Sequence, residues 1–170
     1  MADQLQTIEA IRKRKAQYCR YLDTKQWDGI EAMALPDATL SFFNPDGSIM
    51  LVGKTPLTFS TPHAFQSFIS GAFATAQTLH MCGPGKVVPS SPDEMKDVWC
   101  MEDQTVVNWT AGLLEMRGGG YYHETWKMKR GEWFLKSLRL ERTYLKLRLW
   151  QGFLYSFRDS GSRSREVGNL

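Results

Sequence analysis

The chain has only three cysteines, Cys19, Cys82 and Cys100, and no two of them stand in a CxxC spacing. An odd, unpatterned set argues against a disulfide scaffold and a zinc site, and it suits reduced thiols in a cytoplasmic protein. No stretch approaches the roughly 18 apolar residues that a membrane span requires. The opening MADQLQTIEA lacks the apolar centre of a secretory leader, so neither a membrane nor export is expected. Net charge is scarce as well: 21 basic against 18 acidic residues leave +3, too little to expect a nucleic acid partner. The clusters Gly83-Pro84-Gly85 and Gly118-Gly119-Gly120 have neither the GxGxxG nor the GxxxxGK spacing that cradles phosphates, so no nucleotide cofactor is expected. Histidine is limited to His63, His80 and His123. None of these pairs has HxH or HxxxH ligand spacing, and no metal is expected.

What is present is enough for one domain. A chain of 170 residues with 42% hydrophobic content can bury a core without staples. Its most patterned stretch is Gly120–Leu145, GYYHETWKMKRGEWFLKSLRLERTYL, where two alternating runs flank Arg130-Gly131-Glu132 as the arms of a hairpin. Long neighbouring strands twist a sheet into a trough. The period of two sends Tyr121, His123, Thr125 and Lys127 to one face and Tyr122, Glu124, Trp126 and Met128 to the other.

Upstream, residues 3–22 are helical, with Ile8, Ile11, Tyr18, Cys19 and Leu22 on one arc. Arg14 and Lys15 fall inside that arc and are read as stems along apolar surface with their charges at the rim. A short helix over Trp27–Leu35 stops at Pro36. Ala38–Phe43 reads as a strand, Asn44-Pro45-Asp46-Gly47 as a turn, and Ser48–Gly53 as the returning partner. Thr61-Pro62 starts a third helix with the stripe Phe65, Phe68, Ile69, Ala72 and Phe73, and His63 in its first turn reads as a surface residue. Thr78–Cys82 is a strand carrying His80, broken by Gly83-Pro84-Gly85. Met95–Glu102 is another strand, and residues 104–117 read as a strand with a long connection. Leu149, Trp150, Phe153, Leu154 and Phe157 have helical spacing, and residues 159–170 form a polar, flexible tail. This order implies an α+β fold, with helices packed on one face of a strongly curved antiparallel sheet.

Three segments carry a resemblance: YLDTKQWDGIEAMALPDATLSFF, LHMCG and ETWKMKRGEWFLKSLRLER. Over roughly residues 8–145 they resemble the SnoaL-like branch of the nuclear transport factor 2-like superfamily. They are most similar to fungal isomerases of polyketide and tetrahydroxanthone pathways, and more distantly similar to scytalone dehydratase. The resemblance implies a cone-shaped α+β barrel with three helices from the N-terminal half on its concave side. It also implies a single domain over residues 1–158, whose segment 146–158 serves as a lid, and a homodimer. The pocket it implies places Asp23, His80 and Tyr21 in catalytic roles, with His123 at a position held by asparagine in the dehydratase. Tyr18, Asn44, Phe42, Trp99, Phe153 and Phe157 would contact the substrate. The dehydratase's second pocket histidine falls near Thr105, so its proton relay is not reproduced. Tyr122, Trp126 and Met128 would supply an outer apolar patch for the dimer.

The expected activity is a cofactor-independent acid–base isomerase acting on a polyketide-derived aromatic or dearomatised small molecule. A dehydratase, a cyclase and a non-catalytic adaptor are the alternatives. Histidine suits proton removal and return because its unperturbed pKa lies close to working pH, and a carboxylate beside it orients the ring. His80 paired with Asp23 would move the proton, and His123 would act as the opposite acid or as a donor to the enolate. The plain alternatives are a helix-end cap for Asp23, a buried hydrogen-bonded side chain for His80 and an ordinary sheet residue for His123.

Overall fold

The computed structural model of the chain describes residues 2–108 and 114–149. Helix α1, Ala2–Asp23, buries the arc that its period marks out: Ile11, Tyr18, Cys19 and Leu22 all lie in the core. Helix α2, Trp27–Ala32, is shorter than its apolar pattern. Pro36 keeps Leu35 out of helical geometry, and strand β1, Ala34–Phe43, has already begun. Its register slips between Ala34 and Thr39, a bulge that accommodates a proline lacking an N–H.

After the turn at Asn44–Ser48, β2 (Leu51–Val52) and β3 (Thr55–Pro56) pair with each other in a separate ribbon. The returning segment therefore does not partner β1 as expected, apart from an isolated bridge between Phe43 and Ile49. Strand β4, Thr58–Phe59, takes that place. Helix α3, Pro62–Ala72, is capped by the Thr61 hydroxyl, which accepts from the Ala64 N–H at 3.2 Å.

Four long strands follow: β5 (Ala76–Ser91), β6 (Glu94–Val107), β7 (Leu114–Lys129) and β8 (Glu132–Leu149). The Gly83-Pro84-Gly85 tract does not end β5; the register shifts there as a bulge. Glycine is required at 85, where a Cβ would come within 2.2 Å of the Trp99 ring. The β7–β8 hairpin turns tightly on Arg130 and Gly131, at φ 53° and 82°, as the sequence pattern predicts. Lys146 to Leu149 continue β8 against β7, so the first four residues of the expected lid segment 146–158 are strand. Phe153, Phe157 and the tail 159–170 lie outside the described residues.

The main sheet runs β4-β1-β8-β7-β6-β5. It is mixed rather than wholly antiparallel, because β1 lies parallel to β8. Residues of α1, α2 and α3 share one core cluster with the inward side chains of β1, β6, β7 and β8, placing the helices on the concave face of a curved sheet. The alternation along β7 is as expected, but its faces are exchanged. Tyr122, Glu124 and Trp126 are buried, while Tyr121 and His123 are 44% and 43% exposed. Tyr122 and Trp126 thus belong to the core with Met128 packed against it, and they offer no outer patch for a dimer. No helix among the described residues is long and apolar enough to cross a membrane.

Candidate active site

Asp23 ends α1, and His80 stands near the start of β5, the strand against which that helix packs. Asp23 holds His80 twice. Its Oδ1 lies 2.7 Å from His80 Nδ1, and its Oδ2 accepts the His80 backbone N–H at 2.9 Å. Burial pulls the Asp23 carboxyl upward, but the hydrogen bonds from the His80 ring and backbone outweigh it and hold the group below its usual range. With the carboxylate accepting at Nδ1, Nε2 becomes the nitrogen left for a substrate proton. Nε2 lies 4.0 Å from Asp103 Oδ2, too far for a direct hydrogen bond. Asp103 is in turn gripped by Arg142, whose two terminal nitrogens reach its oxygens at 2.9 and 2.6 Å.

The pair opens on a cleft of about 410 Å³ between α1 and β5, lined also by Arg12, Lys15, Cys19, Cys82 and Trp99. That volume falls within the roughly 300–1,000 Å³ usual for small-molecule sites. A hollow of about 510 Å³ beside the β7–β8 turn, lined by Leu35, Pro36, Lys129 and Arg130, contains no histidine.

Beneath the cleft the concave face is filled by charged and aromatic groups. Lys15 is only 1% exposed, so its ammonium is buried and not at the rim as its stem-and-rim reading holds. It pairs with the equally buried Glu124 and lies 3.4 Å from the Tyr122 ring centre and 4.6 Å from that of Tyr18. Burial works against the ammonium, yet Glu124 overrides it and keeps Lys15 above its usual range. Arg14 reaches outward to Glu132 at 3.0 Å. Asp97 Oδ2 accepts from Trp126 Nε1 at 2.8 Å.

Burial, together with neighbouring Glu124, pushes Asp97 up to about 8, against about 3.9 for an unstructured aspartate. The folded protein thus holds a proton over a window in which the unfolded chain has lost it. The resulting stabilisation is fully present below about pH 4 and lost as pH rises through about 8. Asp97→Asn stays neutral and keeps an oxygen for Trp126. It is expected to flatten the fall in melting temperature between about pH 5 and 9; the wild-type slope in the variant would refute the assignment.

The other residues expected in the pocket are dispersed. His123 lies on the outer face, its Nε2 3.5 Å from Glu141, so it cannot face His80 across the cleft. Tyr21 accepts from Gln17 at 2.5 Å and packs against Gly29. Tyr18 is a core residue, edge-on to Tyr122. Phe42 stacks on Phe65 near Phe59, and Asn44 bonds Ser48 within its turn. Trp99 does line the cleft. His63 is exposed beside Glu31. Asp103, Arg142, Glu124 and Asp97 were not singled out by motif or spacing. Their signal is phase: Asp97 and Asp103 share the period of Trp99 and Met101 on β6, and Arg142 follows Leu138 and Leu140 on β8. A charge in step with core residues marks a buried charge.

The SnoaL-like domain profile matches residues 3–139, which includes α1, β5, β6 and both members of the Asp23–His80 pair. The chain belongs to the SnoaL-like family. This SnoaL-like protein is 40% identical over 147 residues to probable cyclase FGR4 of Gibberella zeae, covering 86% of this chain and 98% of that one. Its fold is similar to that of a candidate scytalone dehydratase from Novosphingobium aromaticivorans (TM-score 0.72, 18% identity, 86% of this chain and 91% of that one). It is also similar to hexachlorocyclohexane dehydrochlorinase LinA-type3 from Novosphingobium barchaimii (TM-score 0.70, 12% identity, 86% and 92%).

Proposed function

We propose that this SnoaL-like protein is a cofactor-independent acid–base catalyst that isomerises a polyketide-derived aromatic or dearomatised small molecule. The observation that carries this reading is the 2.7 Å Asp23–His80 pair opening on a cleft of substrate size. His80 Nε2 takes a proton from a carbon next to a carbonyl. The imidazolium is held between the carboxylates of Asp23 and Asp103 while the enolate forms. Arg12 and Arg20 line the same cleft and bring to its rim the positive charge by which an enolate or phenolate oxygen is stabilised. Trp99 offers a flat wall for a ring. The proton then returns from the same imidazole to another carbon, so one histidine serves as base and acid in turn.

Ring closure is the second reading, favoured by the name of the 40% identical relative; it uses the same enolate, directed at a carbonyl within the molecule. Incubation with aromatic polyketide intermediates in D2O, followed by mass spectrometry and NMR, separates the outcomes. Isomerisation gives a product of unchanged composition carrying solvent deuterium, ring closure adds a new carbon–carbon bond, and dehydration loses water. Absence of both turnover and deuterium exchange across such substrates would argue against any proton-transfer role.

A further inference from the structure

Cys19 on α1 and Cys82 on β5 meet across the cleft with their sulfurs 3.5 Å apart. Both line the cavity together with Asp23 and His80. Cys82 stands two residues after His80, on the same face of β5, and Cys19 lies about one helical turn before Asp23. The two thiols therefore belong to the same two elements that hold the acid–base pair together. Cys82 is half-buried and Cys19 buried, while Cys100 is exposed, opposite Tyr121 on the outer face.

We infer that Cys19 and Cys82 are a peroxide-oxidisable dithiol, and that their disulfide draws α1 onto β5 and resets the Asp23–His80 contact. A disulfide needs a sulfur–sulfur distance near 2.05 Å, so closure requires an approach of roughly 1.5 Å. The contact with Cys19 pulls the Cys82 thiol below its usual range against the effect of burial, and the same contact pushes Cys19 up. Cys82 is accordingly the attacking sulfur. Its thiolate displaces hydroxide from hydrogen peroxide: a sulfur–oxygen bond forms, the oxygen–oxygen bond breaks, and a sulfenic acid and water result. The Cys19 sulfur then attacks the Cys82 sulfur. The sulfur–sulfur bond forms, the sulfur–oxygen bond breaks, and hydroxide leaves as water with the Cys19 proton. Two thiols lose two electrons and two protons in all, and the peroxide is reduced to two waters. In a reducing compartment such a bond is transient and reversible by thiol exchange.

The effect on catalysis rests on the proposed acid–base function, but the test does not. Full-length protein is treated with graded hydrogen peroxide, then examined by denatured thiol titration, intact mass and non-reduced peptide mapping. Two of its three thiols should disappear, with loss of two hydrogens and a peptide joining Cys19 to Cys82, all reversed by dithiothreitol. Cys19→Ser should accumulate a dimedone-reactive sulfenic acid at Cys82, Cys82→Ser should abolish the response, and Cys100→Ser should retain it. Melting curves of the reduced variants establish that each is folded. The NMR signal of the His80 imidazole should shift on oxidation and return on reduction. Linkage through Cys100, oxidation confined to Cys100, or three surviving thiols would overturn the inference, as would an unmoved His80 signal after the bond has formed. Any of those results leaves the acid–base reading standing, whereas unchanged turnover in His80→Ala would sink that reading without touching the dithiol.

Discussion

His80→Ala is expected to lower turnover by about 10²- to 10⁴-fold, the usual worth of a positioned general base, with little change in melting temperature. The side chain is 6% exposed, and its removal vacates a wall of the cleft rather than the packed centre of the sheet. Asp23→Asn keeps the shape of the partner but not its charge, so the imidazolium formed during proton transfer loses one of two neighbouring carboxylates. Its loss of turnover should be smaller than that of His80→Ala. His123→Ala is the control that sequence reasoning would not have chosen. On the outer face beside Glu141, it should leave turnover within about twofold, since an exposed ion pair is worth at most about 1 kcal/mol. Turnover measured on one substrate for all three variants decides the matter: parity between His80→Ala and His123→Ala would remove the cleft from consideration as the active site.

The largest effect on stability is expected from Glu124→Gln. Lys15 and Glu124 are each 1% exposed, and removal of one partner leaves the other as an uncompensated charge among Tyr18, Tyr122 and Trp126. Breaking a buried pair in this way costs about 3–5 kcal/mol, much of it the desolvation of the surviving ion. The Tyr122 ring face beneath Lys15 reduces the loss without cancelling it, since a cation on a desolvated ring is worth about 2 kcal/mol. Lys15→Met/Glu124→Gln, which removes both charges together, should recover much of the stability that Glu124→Gln alone loses. Urea unfolding of the single and double variants measures the difference. A double variant as unstable as the single would mean that shape rather than charge governs this layer.

Much of the fold was legible because its signals are local. The apolar arc of α1, the Thr61-Pro62 start of α3 and the Arg130-Gly131 turn each depend on a few adjacent residues. The Asp23–His80 contact came through family likeness rather than spacing, since 57 positions separate the two residues. What sequence reasoning inverted was the sidedness of β7. Period two shows which residues travel together but not which set faces inward, and both sets contain tyrosine and a titratable group. Placing the histidine inside put Tyr122 and Trp126 outside, against their apolar area, and burial of that larger area decides the outcome. The Asp103–Arg142 clamp is likewise a matter of strand phase and distant register. The parallel β1–β8 pairing could not be read locally at all, because nothing near either strand encodes its partner's direction.

That pairing also governs how the molecule comes to be assembled. Thr39–Phe43 align with Ser137–Glu141, partners roughly a hundred residues apart, and such distant closures slow folding. During synthesis the early strand emerges long before the one that must lie beside it. Its backbone on that side remains without its lasting neighbour until β8 has been made. The nascent polypeptide therefore carries an incomplete sheet throughout the synthesis of the residues between the two strands, the stage at which holding chaperones have most to protect.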